Sequence, residues 1–238
     1  EFSGYTQMIK NGLQRIQNAQ KLLSELAQGG TAIGTGINTT SDFGALMAKE
    51  ISDYTNVEFI EAINHFEAQG AQDAALETSG ALKTIAVSLS KIANDIRWLG
   101  SGPHAGIGEL IIPPVQPGSS IMPGKVNPVI CESMIQTCAQ VIGNDSAITI
   151  GCQGGFFELN LMLPLIAHNL NLSIKILSNA THLFTEKLIV GLQANISKCA
   201  EYIESSLALC TALAPLIGYD KAAEIAHSIV CRLAVHRG

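Results

Sequence analysis

The sequence has few charged residues, few aromatic residues and no cluster of positive charge. Of its 238 residues only 14% are charged and 5% are aromatic, and the formal net charge is -6. Without a run of Lys or Arg, the chain lacks the electrostatic surface that nucleic acids or anionic membranes require. We therefore predict neither as a partner. An anionic small molecule would have to be bound locally, by a few well-placed donors.

Metal-binding spacings and export signals are also missing from the sequence. The six cysteines show no CxxC pattern and no Cys/His spacing typical of a metal site. Most lie among apolar residues, where a reduced cysteine acts as a small core residue. No signal peptide opens the chain, and His, Asn and Lys interrupt the most apolar stretch, residues 159–177. We expect a protein of the cytoplasm, or of the mitochondrial matrix in a eukaryote.

Apolar residues recur at helical spacing along most of the chain, which has 47% hydrophobic residues. An unbroken seam of apolar residues three and four apart runs from Leu82 to Leu99 and indicates a helical bundle. Pro164 is expected to kink the most apolar helix, and residues 110–115 could form one short extended piece. The pattern predicts an all-α fold with helices at residues 4–28, 42–54, 58–69, 71–99, 127–150, 159–190 and 192–213.

Regular structure is expected to stop between the fourth and fifth helices. Six of the eight prolines fall between Pro103 and Pro128. Long loops inside compact domains usually have a function. At its end, Asn127 is expected to cap the next helix, with Pro128 in the first helical position.

The last part of this loop, GSSIMPGKVNP at residues 118–128, carries hydroxyl, amide and ammonium groups directly before a helix start. A helix N-terminus attracts negative charge, and Lys125 adds a full positive charge that can pair with a carboxylate. The segment can therefore bind a small anion. A plain Gly/Ser/Pro connector has a similar composition, so composition alone leaves both interpretations open.

The order of residues in this segment resembles the signature of the fumarase/aspartase superfamily. Further segments resemble those of class II fumarases: GGTAIGTGIN, KIANDIRWLGSGP, GELIIP, CAQVIGND, FELN, VGLQAN and TALAPLIGYDKAAEIA. Gly124 is typical of fumarases, whereas aspartases tend to have Ala there. The resemblance implies a lyase of the tricarboxylic acid cycle, a fumarate hydratase that hydrates fumarate reversibly to (S)-malate. It implies no metal and no cofactor. Aspartate ammonia-lyase is the alternative.

The same resemblance implies roles for individual residues of the loop and the following helix. Ser119 matches the catalytic base and Glu132 the carboxylate that orients the family's catalytic histidine. Spacing alone does not decide between Ser119 and its neighbour. His104 departs from the family pattern, which usually has Arg after SGP. The positions that match the family's substrate-binding residues are Ser120, Lys125, Val126 and Asn127.

For the architecture, the resemblance implies a long-helix bundle of the L-aspartase/fumarase type, with its core shared in a homotetramer. Residues 1–213 would form a partial central bundle, and residues 214–238 the start of a small C-terminal domain. Members of the family are about twice as long, and the segment with the catalytic histidine has no match here. We therefore expect the isolated chain to be inactive. A non-enzymatic helical assembly module is a further alternative.

Overall fold

The computed structural model describes residues 1–116, 118 and 121–235 and is built mainly of helices, which confirms the predicted all-α class. A π-helical turn, Thr185–Ile189, continues the sixth helix, and a 3-10 turn, Leu207–Leu213, follows the seventh. The helices are α1 Phe2–Leu22, α2 Phe43–Thr55, α3 His65–Gly70, α4 Asp73–Leu99, α5 Val129–Cys152, α6 Leu163–Phe184, α7 Ile196–Ser205, α8 Ala214–Ile217 and α9 Tyr219–Val235.

Short strands tie the connecting loops together. They are β1 Glu25–Leu26, β2 Ile60–Glu61, β3 Leu110–Ile111, β4 Gly155–Phe156, β5 Leu159–Asn160 and β6 Gln193–Ala194. The pair β1 and β2 is parallel, whereas β3 pairs antiparallel with β6 and β4 with β5. Each strand has only two residues, so these pairs fix loops and do not form a core.

Two predicted helix boundaries are wrong because of the first strand pair. α1 ends at Leu22 and not at residue 28, since the chain then becomes extended to pair with β2. The helix predicted over 58–69 is replaced by β2 and the short α3. The Oδ1 atom of Asn64 accepts a hydrogen bond from the Glu67 amide at 3.1 Å and thereby caps α3. Local capping and strand pairing thus outweigh the helical pattern.

The prediction for residues 159–190 is also wrong in part. The segment opens with β5, and α6 begins only at Leu163. Pro164 therefore lies in the first turn, where its missing N–H costs nothing, and it does not kink the helix. The predicted burial on all sides is not realised within the chain, because Ile174 is 45% exposed.

By its internal contacts the chain divides into two compact units. The first contains residues 1–97 and 113–191, and the second contains residues 98–112 and the chain from residue 192 onward. The first unit therefore holds α5, α6 and α4 as far as Arg97, together with the 118–127 loop. The domain boundary predicted between residues 213 and 214 stays a prediction.

The core of the first unit lies along α4, α5 and α6. Four residues of the predicted α4 seam are buried, namely Leu82, Leu89, Ile92 and Ile96. They are joined by buried side chains of the other two helices, Ile130, Met134, Val141, Ile148, Ile166 and Leu177. Full burial of an aliphatic side chain contributes about 1.5–3 kcal/mol. Ala75 of α4, Ile148 of α5 and Ile166 of α6 pack together in one cluster, which holds α5 against its neighbours.

A buried polar layer crosses the same three helices. The carboxylate of Asp145, only 4% exposed, accepts hydrogen bonds from Ser79 Oγ at 2.8 Å and Lys83 Nζ at 2.6 Å. In the preceding position of α5, Asn144 Nδ2 donates to Ser173 Oγ at 3.0 Å. Buried polar groups are costly unless paired, so this layer favours one register of the helices.

The second unit is organised around Asn195. Its amide Nδ2 donates to the Gly108 carbonyl at 3.0 Å, and its backbone N–H donates to the Glu109 carbonyl at 2.8 Å. Its Oδ1 accepts from the Lys198 amide at 3.3 Å and caps α7. Together with the β3–β6 pair, these bonds fix residues 108–111 against the start of α7.

Among the described residues, no single helix combines the length and the apolarity needed to cross a bilayer. Only the bent pair Ile196–Ser205 and Leu207–Ile217, with 58° between its helices, meets that test of length and composition.

Candidate active site

The predicted anion-binding loop is closed by hydrogen bonds between its two ends. The Gly118 amide donates to the Lys125 carbonyl at 2.8 Å. The Gly118 carbonyl accepts a hydrogen bond of 2.8 Å from Asn127 Nδ2. We call Gly118, Lys125 and Asn127, joined by these two bonds, the loop clasp.

Asn127 does not cap the following helix, which corrects the prediction made from the sequence. The N-cap of α5 is Pro128, and the Asn127 side chain is directed to Gly118. The first helical amide, that of Val129, donates instead to the Asn127 backbone carbonyl at 2.9 Å. The start of the helix is thus fixed by backbone contacts, which leaves the Asn127 amide to hold the loop.

An open recess of about 410 Å³ lies on one side of the clasp. Lys125 and Val126 are both exposed there. Since α5 begins only a few residues later, the recess lies near the positive end of a helix dipole. A carboxylate could pair with the Lys125 ammonium in such a place. The recess is lined by Pro114, Val115, Gln116, Gly118, Gly124, Lys125 and Val126.

Glu132, the predicted histidine-orienting residue, is half-buried in the first turn of α5. Its backbone amide donates to the Pro128 carbonyl at 3.1 Å. The preceding residue, Cys131, is fully buried, and burial raises the pKa of its thiol to about 11. This thiol therefore stays protonated near neutral pH and does not compete as a base or nucleophile.

The structure brings together only part of the predicted site. Lys125, Val126 and Asn127 lie at the clasp, and Glu132 lies one helical turn further on. The predicted base, Ser119, and its neighbour Ser120 lie outside the described residues. Their roles stay predictions from the sequence.

Two histidines of helical regions, His65 and His182, have partners away from this loop. His65 Nε2 lies 3.2 Å from a Glu61 carboxylate oxygen and 3.1 Å from the Gln28 carbonyl. His182 Nε2 lies 3.3 Å from Glu186, four residues further along the chain. Both contacts suit a structural role. His104, where the resemblance led us to expect Arg, is exposed. Within residues 1–116, 118 and 121–235, no three His, Cys, Asp or Glu side chains are grouped to hold a metal ion.

Two features of this region were not predicted from the sequence. One is the role of Gly118, since a glycine required for close backbone contact looks the same in a sequence as one in a flexible connector. The other is Asp145, whose partners Ser79 and Lys83 lie more than sixty residues earlier. A charged residue in an otherwise apolar stretch of α5 was the only available signal.

Comparison with known proteins gives consistent results for family and fold. Residues 1–143 match the protein family described as lyase. The mitochondrial fumarate hydratases of Rhizopus oryzae and Homo sapiens are 53% and 52% identical to the chain over 226 residues. A class II fumarase from Schistosoma mansoni superposes with a TM-score of 0.92 at 38% identity, covering 94% of this chain and 50% of that one.

The chain belongs to this lyase family, because the family match covers more than half of its residues. Its similarity to fumarate hydratases and to a class II fumarase agrees with the resemblance of its loop and flanking segments. The matches cover 95% of this chain but only 46% and 44% of the two fumarate hydratases. The chain therefore spans about half the length of the curated relatives that it matches.

Proposed function

We propose that this chain supplies one part of the active site of a fumarate hydratase, which adds water reversibly to fumarate to give (S)-malate. The observation that carries the proposal is the 118–127 loop, closed by its clasp directly before α5, in a chain 53% identical to a fumarate hydratase. The reaction would belong to the tricarboxylic acid cycle. It requires neither a metal nor a cofactor in this proposal.

The chemistry explains why a cationic loop is needed. Removal of a proton from the carbon beside a carboxylate places two negative charges on that carboxyl group. Stabilising this charge in the transition state is the main task of such an enzyme. Lys125 and the N-terminus of α5 supply positive charge within one short segment. An ammonium and a helix start near the recess suit that task.

In this proposal Ser119 is the base that removes the carbon-bound proton. A serine hydroxyl is a very weak acid, so it needs an electropositive environment to act as an alkoxide. The substrate carboxylates are bound by Ser120, Lys125, Val126 and Asn127. Glu132 orients a histidine that comes from outside these 238 residues.

We also propose that the protein is a homotetramer whose helices share one core. Exposed apolar residues of the first unit support this, since Leu13 is 59% and Ile174 is 45% exposed. Together with residues of α4 they line an apolar groove of about 690 Å³. Exposed apolar side chains grouped in a groove suit an interface between subunits. A monodisperse monomer of about 25 kDa in light scattering would contradict the assembly.

For the location, we propose the cytoplasm, or the mitochondrial matrix if the source is a eukaryote. The curated relatives named above are mitochondrial fumarate hydratases, which supports the second location for a eukaryotic source.

A chimera tests the proposed reaction directly. The matching 226-residue segment of the Rhizopus oryzae fumarate hydratase is replaced by that of this chain. Fumarate formation from (S)-malate is followed by absorbance, with aspartate as the control substrate. We expect turnover of malate within about tenfold of the parent enzyme and none of aspartate. A folded chimera that releases fumarate only from aspartate would show an ammonia-lyase instead.

The isolated chain is the matched control. Because the proposed site needs residues from outside it, we expect no turnover of either substrate by the chain alone. Activity of the chain by itself would contradict the distribution of roles proposed above. Inactivity of a chimera that assembles like its parent would favour a non-enzymatic assembly module.

A further inference from the structure

The loop clasp uses both backbone polar groups of one residue. The Gly118 amide is bonded to the Lys125 carbonyl and the Gly118 carbonyl to Asn127 Nδ2, each at 2.8 Å. These contacts join residues seven and nine positions apart. The clasp therefore holds the end of the loop against its beginning, independently of the residues between them.

The clasp requires glycine at position 118, because there is no space for a side chain there. A Cβ atom at this position would overlap the Lys125 carbonyl oxygen and would lie only 2.9 Å from the Asn127 backbone nitrogen. These neighbours are backbone atoms, which cannot rotate away as a side chain could. Even alanine would therefore force the two ends of the loop apart.

A tight turn inside the loop fixes Lys125 from the other side. The Lys125 amide donates to the Met122 carbonyl at 3.3 Å, and Gly124 has a positive φ of 80°. Positive φ is readily adopted by glycine, and Gly124 has open space around its Cα. Both backbone groups of Lys125 are thus hydrogen-bonded, so its side chain starts from a fixed point beside the recess.

We propose that Asn127 is a positioning residue, which by holding Gly118 fixes Lys125 for binding a substrate carboxylate. This inference rests on the proposed function and deepens it, since the resemblance implied for Asn127 only direct contact with the substrate. The Asn127 amide nitrogen already donates to Gly118. Fixing Lys125 beforehand lowers the entropic cost of binding, because fewer rotations of its backbone are lost when substrate arrives.

Trypsin tests the clasp without any activity assay. The enzyme cleaves after Lys125, and cleavage requires that the loop opens. In the 238-residue chain, we expect Gly118→Ala to raise the cleavage rate after Lys125 roughly fivefold, the factor that corresponds to the loss of one hydrogen bond. The rate is read by mass spectrometry and normalised to that of the urea-unfolded chain. Gly118→Ala leaves the residues around the cleaved bond unchanged.

Asn127→Leu is the second variant, since it is close in size to the native side chain and removes the donor without adding charge. We expect a similar rise in cleavage for it. The double variant should add little, because both changes break the same clasp. Gly143→Ala is the matched control, as that glycine lies within α5 with open space around it and should not alter cleavage. Unchanged cleavage in both single variants would overturn the clasp.

Steady-state kinetics of the chimera separate positioning from direct contact. If Asn127 acts through Gly118, then Gly118→Ala and Asn127→Leu should each raise KM for malate, with a non-additive double variant. If Asn127 acts only by touching the substrate, the two effects on KM should add, and the positioning role is wrong. An inactive chimera would count against the proposed function, whereas the trypsin result would still decide the clasp.

Discussion

The body of α5 and the loop before it satisfy their polar groups in opposite ways. In the body, Asp145 and Asn144 are buried and bonded to side chains of α4 and α6. In the loop, the bonds are made mostly by backbone atoms, while the Lys125 and Val126 side chains are exposed. The first pattern is costly to break and stabilises the fold. The second leaves the Lys125 ammonium available to a ligand.

The body of α5 thus provides stability, and the loop before it provides the chemistry. Variants in the polar layer should change the free energy of unfolding, and variants in the loop should change turnover.

The largest effect is expected for Ser119→Ala in the chimera. Since the proposal makes this hydroxyl the base, its removal should lower kcat roughly a thousandfold. Ser120→Ala is the matched control and should act mainly on KM. If Ser119→Ala retains most of the activity, the base lies elsewhere and the loop loses its proposed chemical role.

Lys83→Ala should have the largest effect on stability. It leaves the buried Asp145 carboxylate with Ser79 as its remaining side-chain partner. Loss of one partner of a buried pair costs about 3–5 kcal/mol, and because Lys83 is itself 44% exposed we expect the lower end, about 3 kcal/mol. Urea unfolding followed by circular dichroism measures it.

Lys91→Ala provides the control for that measurement. Lys91 pairs with Asp95 four residues along the same helix, but the two side chains are 55% and 32% exposed. Exposed pairs of this kind contribute about 0.5 kcal/mol. Equal losses for the two lysine variants would show that burial of the polar layer is not what stabilises the bundle.

Tyr5→Phe should have a smaller effect on stability at neutral pH than Lys83→Ala. The Tyr5 hydroxyl donates to Asp95 at 2.7 Å, and its loss should cost about 1 kcal/mol. Burial, together with the bond to Asp95 and its charge, raises the pKa of Tyr5 to about 12 from 10.0. The folded state thus favours the protonated phenol, so its contribution is complete below pH 10 and is lost as the pH rises towards 12.

The contribution of Asp95, the partner of Tyr5, to stability depends on pH in the opposite direction. Hydrogen bonds from Lys91 and Tyr5 lower the pKa of Asp95 from 3.8. Its contribution is therefore present above pH 3.8 and is lost as the pH falls through the lower pKa of the folded state. The difference in unfolding free energy between the native chain and Tyr5→Phe should become smaller both at acid pH and at alkaline pH. A difference that stays constant from acid to alkaline pH would contradict this pairing.

The sequence predicted those parts of the structure that depend on local pattern. The spacing of Leu82, Leu89, Ile92 and Ile96 predicted the buried side of α4, because helical periodicity alone decides which residues share a face. Prediction from the sequence failed where a segment pairs with residues far along the chain. Glu25 and Leu26 continue a helical pattern in the sequence, but they form a strand that pairs with β2.

The candidate site was predicted from the order of residues in the loop motif, because the sequence does not show their geometry. The resemblance identified Lys125 and Glu132, which the structure places at the recess and in the first turn of α5. It could not show that Asn127 binds Gly118 and not the helix, since a cap and a clasp require the same amide at nearly the same position. Side-chain direction is decided by packing that a sequence does not display.

The rate of fumarate formation by the chimera carrying Lys125→Ala tests the assignment of chemistry to the loop most directly. Because Lys125 is exposed and forms no part of the polar layer, we predict an unchanged urea midpoint and a loss of roughly a hundredfold in kcat/KM for malate. An unchanged rate, or a loss explained by unfolding alone, would contradict the account.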